Sequence, residues 1–261
     1  VTEPIISVSG LRGVVGESLT PEVAIRYVCA FAGTLPEGSI VITRDGRTTG
    51  SMLANAVCSA LCAMGHKVVD AGIAATPTTG VLVRQYRAVG GIQITASHNP
   101  APYNGLKLFG AEGTILTAVA GEPVTKRYSE GRIAWVGHDR IGSVVECPDA
   151  VSRHAALVLA TVDVERIRRR RFKVFLDSNH SSSTLLGRHL LDELGCEVTH
   201  VGAEPDGRFS HLPEPTEENL AQVCGQVTAA GAHMGFFPDP DGDRLALVDE
   251  TGRYVGEEYT L

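Results

Sequence analysis

No apolar run in the 261 residues reaches the roughly 20 residues that a bilayer-spanning helix needs. The N-terminal stretch VTEPIISVSG lacks the basic start and apolar stretch of a secretory signal. No CxxC pair occurs among the six cysteines, at 29, 58, 62, 147, 196 and 224. Cys58 and Cys62 share a helix face, but without neighbouring ligands they make a poor zinc site. Most of the cysteines fall in apolar periodic segments, where reduced, buried thiols are expected, as in a cytoplasmic protein. There is no acidic tail and no basic excess: 23 Lys and Arg stand against 30 Asp and Glu, a formal charge of -7. That balance argues against a general nucleic-acid binder. The one basic run, Arg168 to Arg171 with Lys173, reads as a solvated helix end. These absences leave neither membrane nor nucleic acid as an expected partner.

What is present is a globular composition, 43% hydrophobic and 20% charged, in a length suited to one or two domains. The pattern alternates strands and helices. SIVITRDGR reads as a strand ending in charge. TTGSMLANAVCSALCAMG carries Leu53, Val57, Leu61 and Met64 at helical spacing, with Gly65 as the cap. HKVVDAG reads as a second strand. Thr76-Pro77 reads as the N-cap and first residue of the next helix, and GGIQI as a third strand. From residue 172 the order repeats. FKVFLDSNH is a strand, and SSSTLLGRHLLDELG a helix with Leu186, Leu190 and Leu194 in line. CEVTHVG is a strand, PTEENLAQVCGQVTAAG one capped helix with Leu220, Val223 and Val227 on one face, and HMGFF a strand. Gly65 and Gly72 are seven apart, as are Gly195 and Gly202. This is an internal β-α-β-α-β repeat, with two similar domains meeting near residues 145–152.

The repeat puts TASHNP (95–100) and PDPDGDR (238–244) at the ends of corresponding strands, where α/β sheets build sites. A turn needs neither the serine nor the histidine of TASHNP, so Ser97 is a candidate nucleophile on an exposed loop. Asp239, Asp241 and Asp243 alternate with Pro240 and Gly242. Three carboxylates so spaced repel one another unless a cation sits among them, and hard oxygen donors suit Mg²⁺ or Ca²⁺. An EF-hand is rejected: Glu250 is twelfth from Asp239, but Arg244 stands where that loop needs glycine. Arg244 beside a metal site argues for an anion as well, and a phosphate satisfies both. Lys107 in YNGLKLF and Arg12 in SGLRGVVG are further cations in glycine-flanked contexts.

Together TASHNP, YNGLK and DPDGDR resemble the α-D-phosphohexomutase family. SGLRGVVG, TRDGR, ATPTTG and PEPTEENL match in order, so the resemblance covers nearly the whole chain. It implies two similar three-layer α/β domains with mixed sheets: residues 1–147 with a phosphoserine loop and 148–252 with a metal-binding loop. Residues 253–261 would begin a third domain, and the family's third and fourth domains, which select the sugar and bind its phosphate, would be missing. The resemblance implies that Ser97 is the phosphorylated serine and that Asp239, Asp241 and Asp243 hold Mg²⁺ together with a phosphoserine oxygen. Arg244 would follow them, His98 and Lys107 would share the serine's site, and Arg12 would face the phosphoserine. Arg12, Lys107 and Arg244 would then balance charge and bind substrate phosphate.

The implied activity interconverts hexose 6-phosphate and hexose 1-phosphate, with a hexose 1,6-bisphosphate as intermediate and activator. Phosphoglucomutase or phosphomannomutase activity is favoured, with phosphoglucosamine mutase as the alternative. A stand-alone phosphatase and a non-catalytic sugar-phosphate or metal-binding module are the other readings. The chain alone would be inactive or weakly active. Two departures stand out. DSNHSSS lacks the glycine that many relatives carry after the equivalent Asn, and Phe237-Pro238 replaces the small residues common before DPDGDR.

Overall fold

The computed structural model describes residues 3–7 and 10–260. Ser9, the first residue of SGLRGVVG, and Leu261, the last residue of the chain, lie outside the described residues, as do Val1, Thr2 and Val8.

The first sheet has seven strands: β1 (Ile5–Ser7), β2 (Gly10–Val14), β3 (Ser39–Arg44), β4 (Lys67–Ile73), β5 (Gly90–Ile94), β6 (Tyr103–Gly110) and β7 (Val144–Glu146), in the order β1-β2-β6-β5-β3-β4-β7. Its helices are α1 (Pro21–Ala32), α2 (Gly50–Ala63), α3 (Thr76–Gln85) and α4 (Ala118–Glu130). The β3 sequence shows why three layers form. Ile40 and Ile42 point into the core under α1 and α2, while Val41 points into the opposite core under α3. A strand buried on both faces reads as a continuous apolar run, here IVI. Thr20 caps α1, accepting from the Val23 amide at 3.3 Å, with Pro21 at the first helical position.

After α5 (Ala150–Leu159) and α6 (Val164–Arg170) comes the second sheet: β8 (Lys173–Asp177), β9 (Glu197–Val201), β10 (Met234–Pro238), β11 (Leu245–Asp249) and β12 (Tyr254–Gly256), ordered β12-β11-β10-β8-β9. Helix α7 (Ser183–Glu193) covers one face with Leu191 on Val174 and Leu176. Helices α8 (Glu217–Leu220) and α9 (Gly225–Ala229) cover the other, with Leu220 and Val227 on Phe175, Phe237 and Val248.

Strand for strand, β2-β6-β5-β3-β4 matches β12-β11-β10-β8-β9, with the same parallel and antiparallel pairings. The chain is two α/β domains, each with a mixed sheet.

Two elements differ from the sequence reading. PTEENLAQVCGQVTAAG is not one helix: residues 221–224 form turns between α8 and α9, and Gly225, a poor helix former, opens the second piece. Leu220, Val223 and Val227 still share one core. Thr76 is not an N-cap; Ala75 holds that position, and the Thr76 hydroxyl is engaged elsewhere. His180 occupies a left-handed conformation, φ 57°, beside Asn179 at φ 42°. A glycine would adopt that conformation without strain. The basic run 168–171 ends α6 on the exposed surface, closing at Arg171 with φ 45°. Among the described residues, no helix is long and apolar enough to cross a membrane.

Candidate active site and metal centre

Both candidate loops leave the carboxyl ends of corresponding strands, TASHNP after β5 and DPDGDR after β10, and they meet between the domains. Ser97 Oγ lies 3.3 Å from Asp239 Oδ2 and 3.3 Å from His98 Nδ1. Ser97 is buried between the domains, not on the exposed loop its sequence context suggests, and holds φ 53°, a conformation that costs a non-glycine residue about 1–3 kcal/mol and persists only where its surroundings enforce it.

The acidic loop closes on itself. Asp239 Oδ1 accepts from the amides of Asp243 and Arg244, each at 3.1 Å, and the Asp239 amide donates to the Arg244 carbonyl at 3.1 Å. These bonds use one carboxylate oxygen and leave Oδ2 for the cleft. Gly242 makes the turn with φ 68°, and a Cβ there would meet Ser183 Oγ at 2.9 Å and Ala75 Cβ at 3.0 Å. The serines of DSNHSSS brace the loop from below: Ser182 Oγ donates to the Pro240 carbonyl at 2.8 Å and Ser183 Oγ to the Asp239 carbonyl at 3.3 Å.

Asp239 and Asp241 are fully buried, whereas Asp243 is more open. The three offer carboxylate oxygens within 4.8 Å of one another. Burial, then the charges of Asp241 and Asp243, drive the Asp239 carboxyl well above the ordinary range. Burial also opposes ionisation of Asp241, but Lys107 with its hydrogen bond outweighs it and holds that carboxyl low. Asp241 Oδ2 accepts from Lys107 Nζ at 2.6 Å and Thr76 Oγ1 at 2.5 Å, while Oδ1 is buried with no partner. An orphaned oxygen among three close carboxylates is the donor set a hard divalent cation fits.

The cations come from three strands or their ends. Lys107, on β6 opposite Gln93, is buried and bridges Asp241 and Asp243 at 2.6 and 2.7 Å. Arg244 stands 3.8 Å from Asp239 Oδ2, 3.4 Å from Glu214 Oε1 and 3.6 Å from Glu257 Oε1, and its Nη2 is buried without a partner. Arg12, half-buried on β2, pairs in register with Gly105 of β6. His98 is held below its ordinary pKa first by burial and then by the charges of Arg244 and Arg12, partly offset by Glu214.

Several neighbours carry no site role in the sequence reading. Glu214, in PEPTEENL, contacts both His98 at 3.7 Å and Arg244. Thr76 reaches Asp241 from the other domain. Asp45 and Arg47, in TRDGR, support the Ser97 loop. All four lie in matched motifs, which was the only signal for them in the sequence.

Residues 4–132 match the family described as phosphoglucomutase/phosphomannomutase, alpha/beta/alpha domain I, and residues 152–252 match its alpha/beta/alpha domain II. A phosphoglucomutase/phosphomannomutase from Thermococcus kodakarensis is 37% identical over 97% of this chain and 56% of its own length. A protein from Methanopyrus kandleri named "Probable phosphoglucosamine mutase" is 36% identical over 97% of this chain and 55% of its own length. The crystal structure of a Burkholderia thailandensis phosphoglucomutase/phosphomannomutase family protein superposes with a TM-score of 0.79 at 30% identity, covering 96% of this chain and 57% of that one. The chain thus spans about 55% of the length of the curated relatives it matches. With both domain matches in sequence order, the chain belongs to the phosphoglucomutase/phosphomannomutase family, the phosphohexomutases, and carries its alpha/beta/alpha domains I and II.

Proposed function

We propose that this chain carries the phosphoryl-transfer centre of a hexose phosphate mutase. Ser97, phosphorylated in the resting state, gives its phosphoryl group to a hexose monophosphate. The hexose 1,6-bisphosphate turns over and returns its other phosphate to Ser97, so that the 6-phosphate becomes the 1-phosphate or the reverse. The observation that carries this reading is the placement of Ser97 Oγ, from one domain, 3.3 Å from Asp239 of an acidic triad in the other.

Asp239, Asp241 and Asp243, with a phosphoserine oxygen, would hold Mg²⁺, which supplies Lewis-acid charge at the phosphoryl oxygens. The chain's own groups do the rest. Arg244, whose Nη2 is unpartnered, and Arg12 are available to a phosphate. Lys107 supplies charge to the triad from the β6 side. His98 Nδ1 lies within reach of the serine oxygen that releases or accepts the phosphoryl group. Phosphoryl transfer depends mainly on such positioning and charge.

Residues 1–147 and 148–252 are the functional domains on this reading, and 253–261 lead into a third. Segment 254–256 also adds strand β12 to the second sheet. Glucose or mannose phosphate is the favoured substrate. Glucosamine phosphate is a second reading, favoured by the names of several relatives at 32–36% identity. The test is to assay the full-length protein on glucose, mannose and glucosamine phosphates while measuring released phosphate. Isomerisation of one hexose supports the mutase. Phosphate release without isomerisation supports a phosphatase, and neither supports a binding module.

A further inference from the structure

Arg47 is 2% exposed, and its guanidinium is directed almost wholly at main chain. Nη2 donates to the carbonyls of Ser97 and Asn99, each at 2.7 Å. Nη1 donates to the carbonyls of Pro100 at 2.9 Å and Tyr103 at 3.1 Å. Nε donates to Asp45 Oδ2 at 3.0 Å. The same Asp45 oxygen accepts from Thr95 Oγ1 at 2.7 Å, and that hydroxyl accepts from the Ser97 amide at 2.8 Å. The result is a closed ring: Ser97 amide, Thr95, Asp45, Arg47, Ser97 carbonyl. It grips both sides of a residue whose φ of 53° it would otherwise leave.

The ring also touches the second domain. The Phe209 ring centroid lies 5.1 Å from the Arg47 guanidinium carbon. Gly207, φ 69°, passes so close that a Cβ would meet the Arg47 Cα at 2.6 Å. At Gly46 an added Cβ would meet the His180 carbonyl oxygen at 2.8 Å. The loop that pins the serine is thus packed against backbone of the domain bearing the acidic triad.

We propose that Arg47 is a positioning residue that holds Ser97 in the conformation presenting Oγ to the transferring phosphoryl group, and that Phe209 makes this hold depend on contact between the domains. The inference rests on Ser97 being the nucleophile, as proposed above. Lysine at 47 keeps the charge but has neither the planar fork nor enough donors for four carbonyls and Asp45.

The test is the time course of Ser97 phosphorylation by glucose 1,6-bisphosphate with Mg²⁺, in wild type, Arg47→Lys and Phe209→Leu. Folding is checked by thermal melts and Mg²⁺ affinity by calorimetry. Misplacement of a reacting atom by about 1 Å costs about 100-fold. Arg47→Lys is therefore expected to lower the maximal rate about 100-fold, with the half-saturating bisphosphate concentration and Mg²⁺ affinity unchanged. Phe209→Leu, which keeps every hydrogen bond, is expected to lower it about 5-fold, the scale of one lost cation–π contact, and it decides the matter if Arg47→Lys fails to fold. Wild-type maximal rates in folded variants, or a loss confined to the half-saturating concentration, would overturn the inference while leaving Ser97 as nucleophile. No phosphate on wild-type Ser97 would instead overturn the nucleophile assignment, and the inference with it.

Discussion

Thr76 Oγ1, at the first turn of α3 in the first domain, donates to Asp241 Oδ2 in the second at 2.5 Å, and the Thr76 amide donates to the Asp241 carbonyl at 2.7 Å. The bond holds the Asp241 carboxylate by Oδ2 and leaves Oδ1 without a hydrogen-bond partner. Thr76→Val keeps the shape and the amide bond but removes the hydroxyl. A hydrogen bond to a charged group contributes about 1.5–3 kcal/mol. The melting temperature should fall accordingly, and Mg²⁺ affinity, with the carboxylate no longer held in place, should fall by roughly 10-fold in calorimetric titration. An unchanged affinity would mean that Asp241 is aimed by Lys107 alone.

Lys107 should show opposite effects on stability and metal binding. It is buried against Asp241 and Asp243. Burial works against its charge, but the two carboxylates outweigh it and raise its pKa. Removing one partner of a buried pair costs about 3–5 kcal/mol because the other charge is left unpaired. Lys107→Met should thus melt well below wild type without divalent cations. Mg²⁺ should bind the mutant more tightly and restore much of the loss, since a ligand of the native state stabilises it by mass action. Melts over a Mg²⁺ series would show this. Equal Mg²⁺ shifts in both proteins would contradict it.

The strands and the two loops were legible in the sequence because their signals are local. An apolar run ending in charge marks β3 and β8, and the alternating carboxylates of residues 239–243 announce themselves. The doubling was legible too, through cap glycines at matching intervals. Thr76 was misread as a cap because its partner lies 165 residues away in the other domain. Arg47 and Glu214 stand inside recognised motifs without roles for the same reason: their partners are main chain of a distant loop, or the His98 side chain across the cleft. Helix α1 was missed although its signal, Thr20-Pro21-Glu22 before an apolar stripe, is local.

The domain contact should respond to acid. His154 on α5 is buried, with Nδ1 2.9 Å from Thr78 Oγ1 on α3. Burial, then the charge of Arg84, hold its pKa below the ordinary value. The folded state therefore favours the neutral ring. Its contribution is complete above the unfolded pKa of about 6.5 and is lost as pH falls through the lower folded value. Melting temperatures between pH 7.5 and about 5 should drop more steeply in wild type than in His154→Gln. Parallel curves would place the acid sensitivity elsewhere.

Asp241→Asn tests the triad as a metal site. One anionic oxygen becomes a neutral amide, and the orphaned acceptor in the acidic cluster is altered. Mg²⁺ affinity should fall at least 10-fold by calorimetry, since ligand charge sets affinity at hard-cation sites. Equal affinities would mean that the triad is balanced by Lys107 and Arg244 alone and is not a metal site.

Everything proposed for the site depends on Ser97 carrying the phosphoryl group. The most direct measurement is mass spectrometry of peptides from the protein after incubation with glucose 1,6-bisphosphate and Mg²⁺, beside Ser97→Ala treated identically. A single phosphoryl group is expected on the peptide containing TASHNP, located on Ser97, lost without Mg²⁺ and absent from the mutant. Phosphate on another residue, equal labelling of the folded mutant, or no labelling of wild type would contradict it.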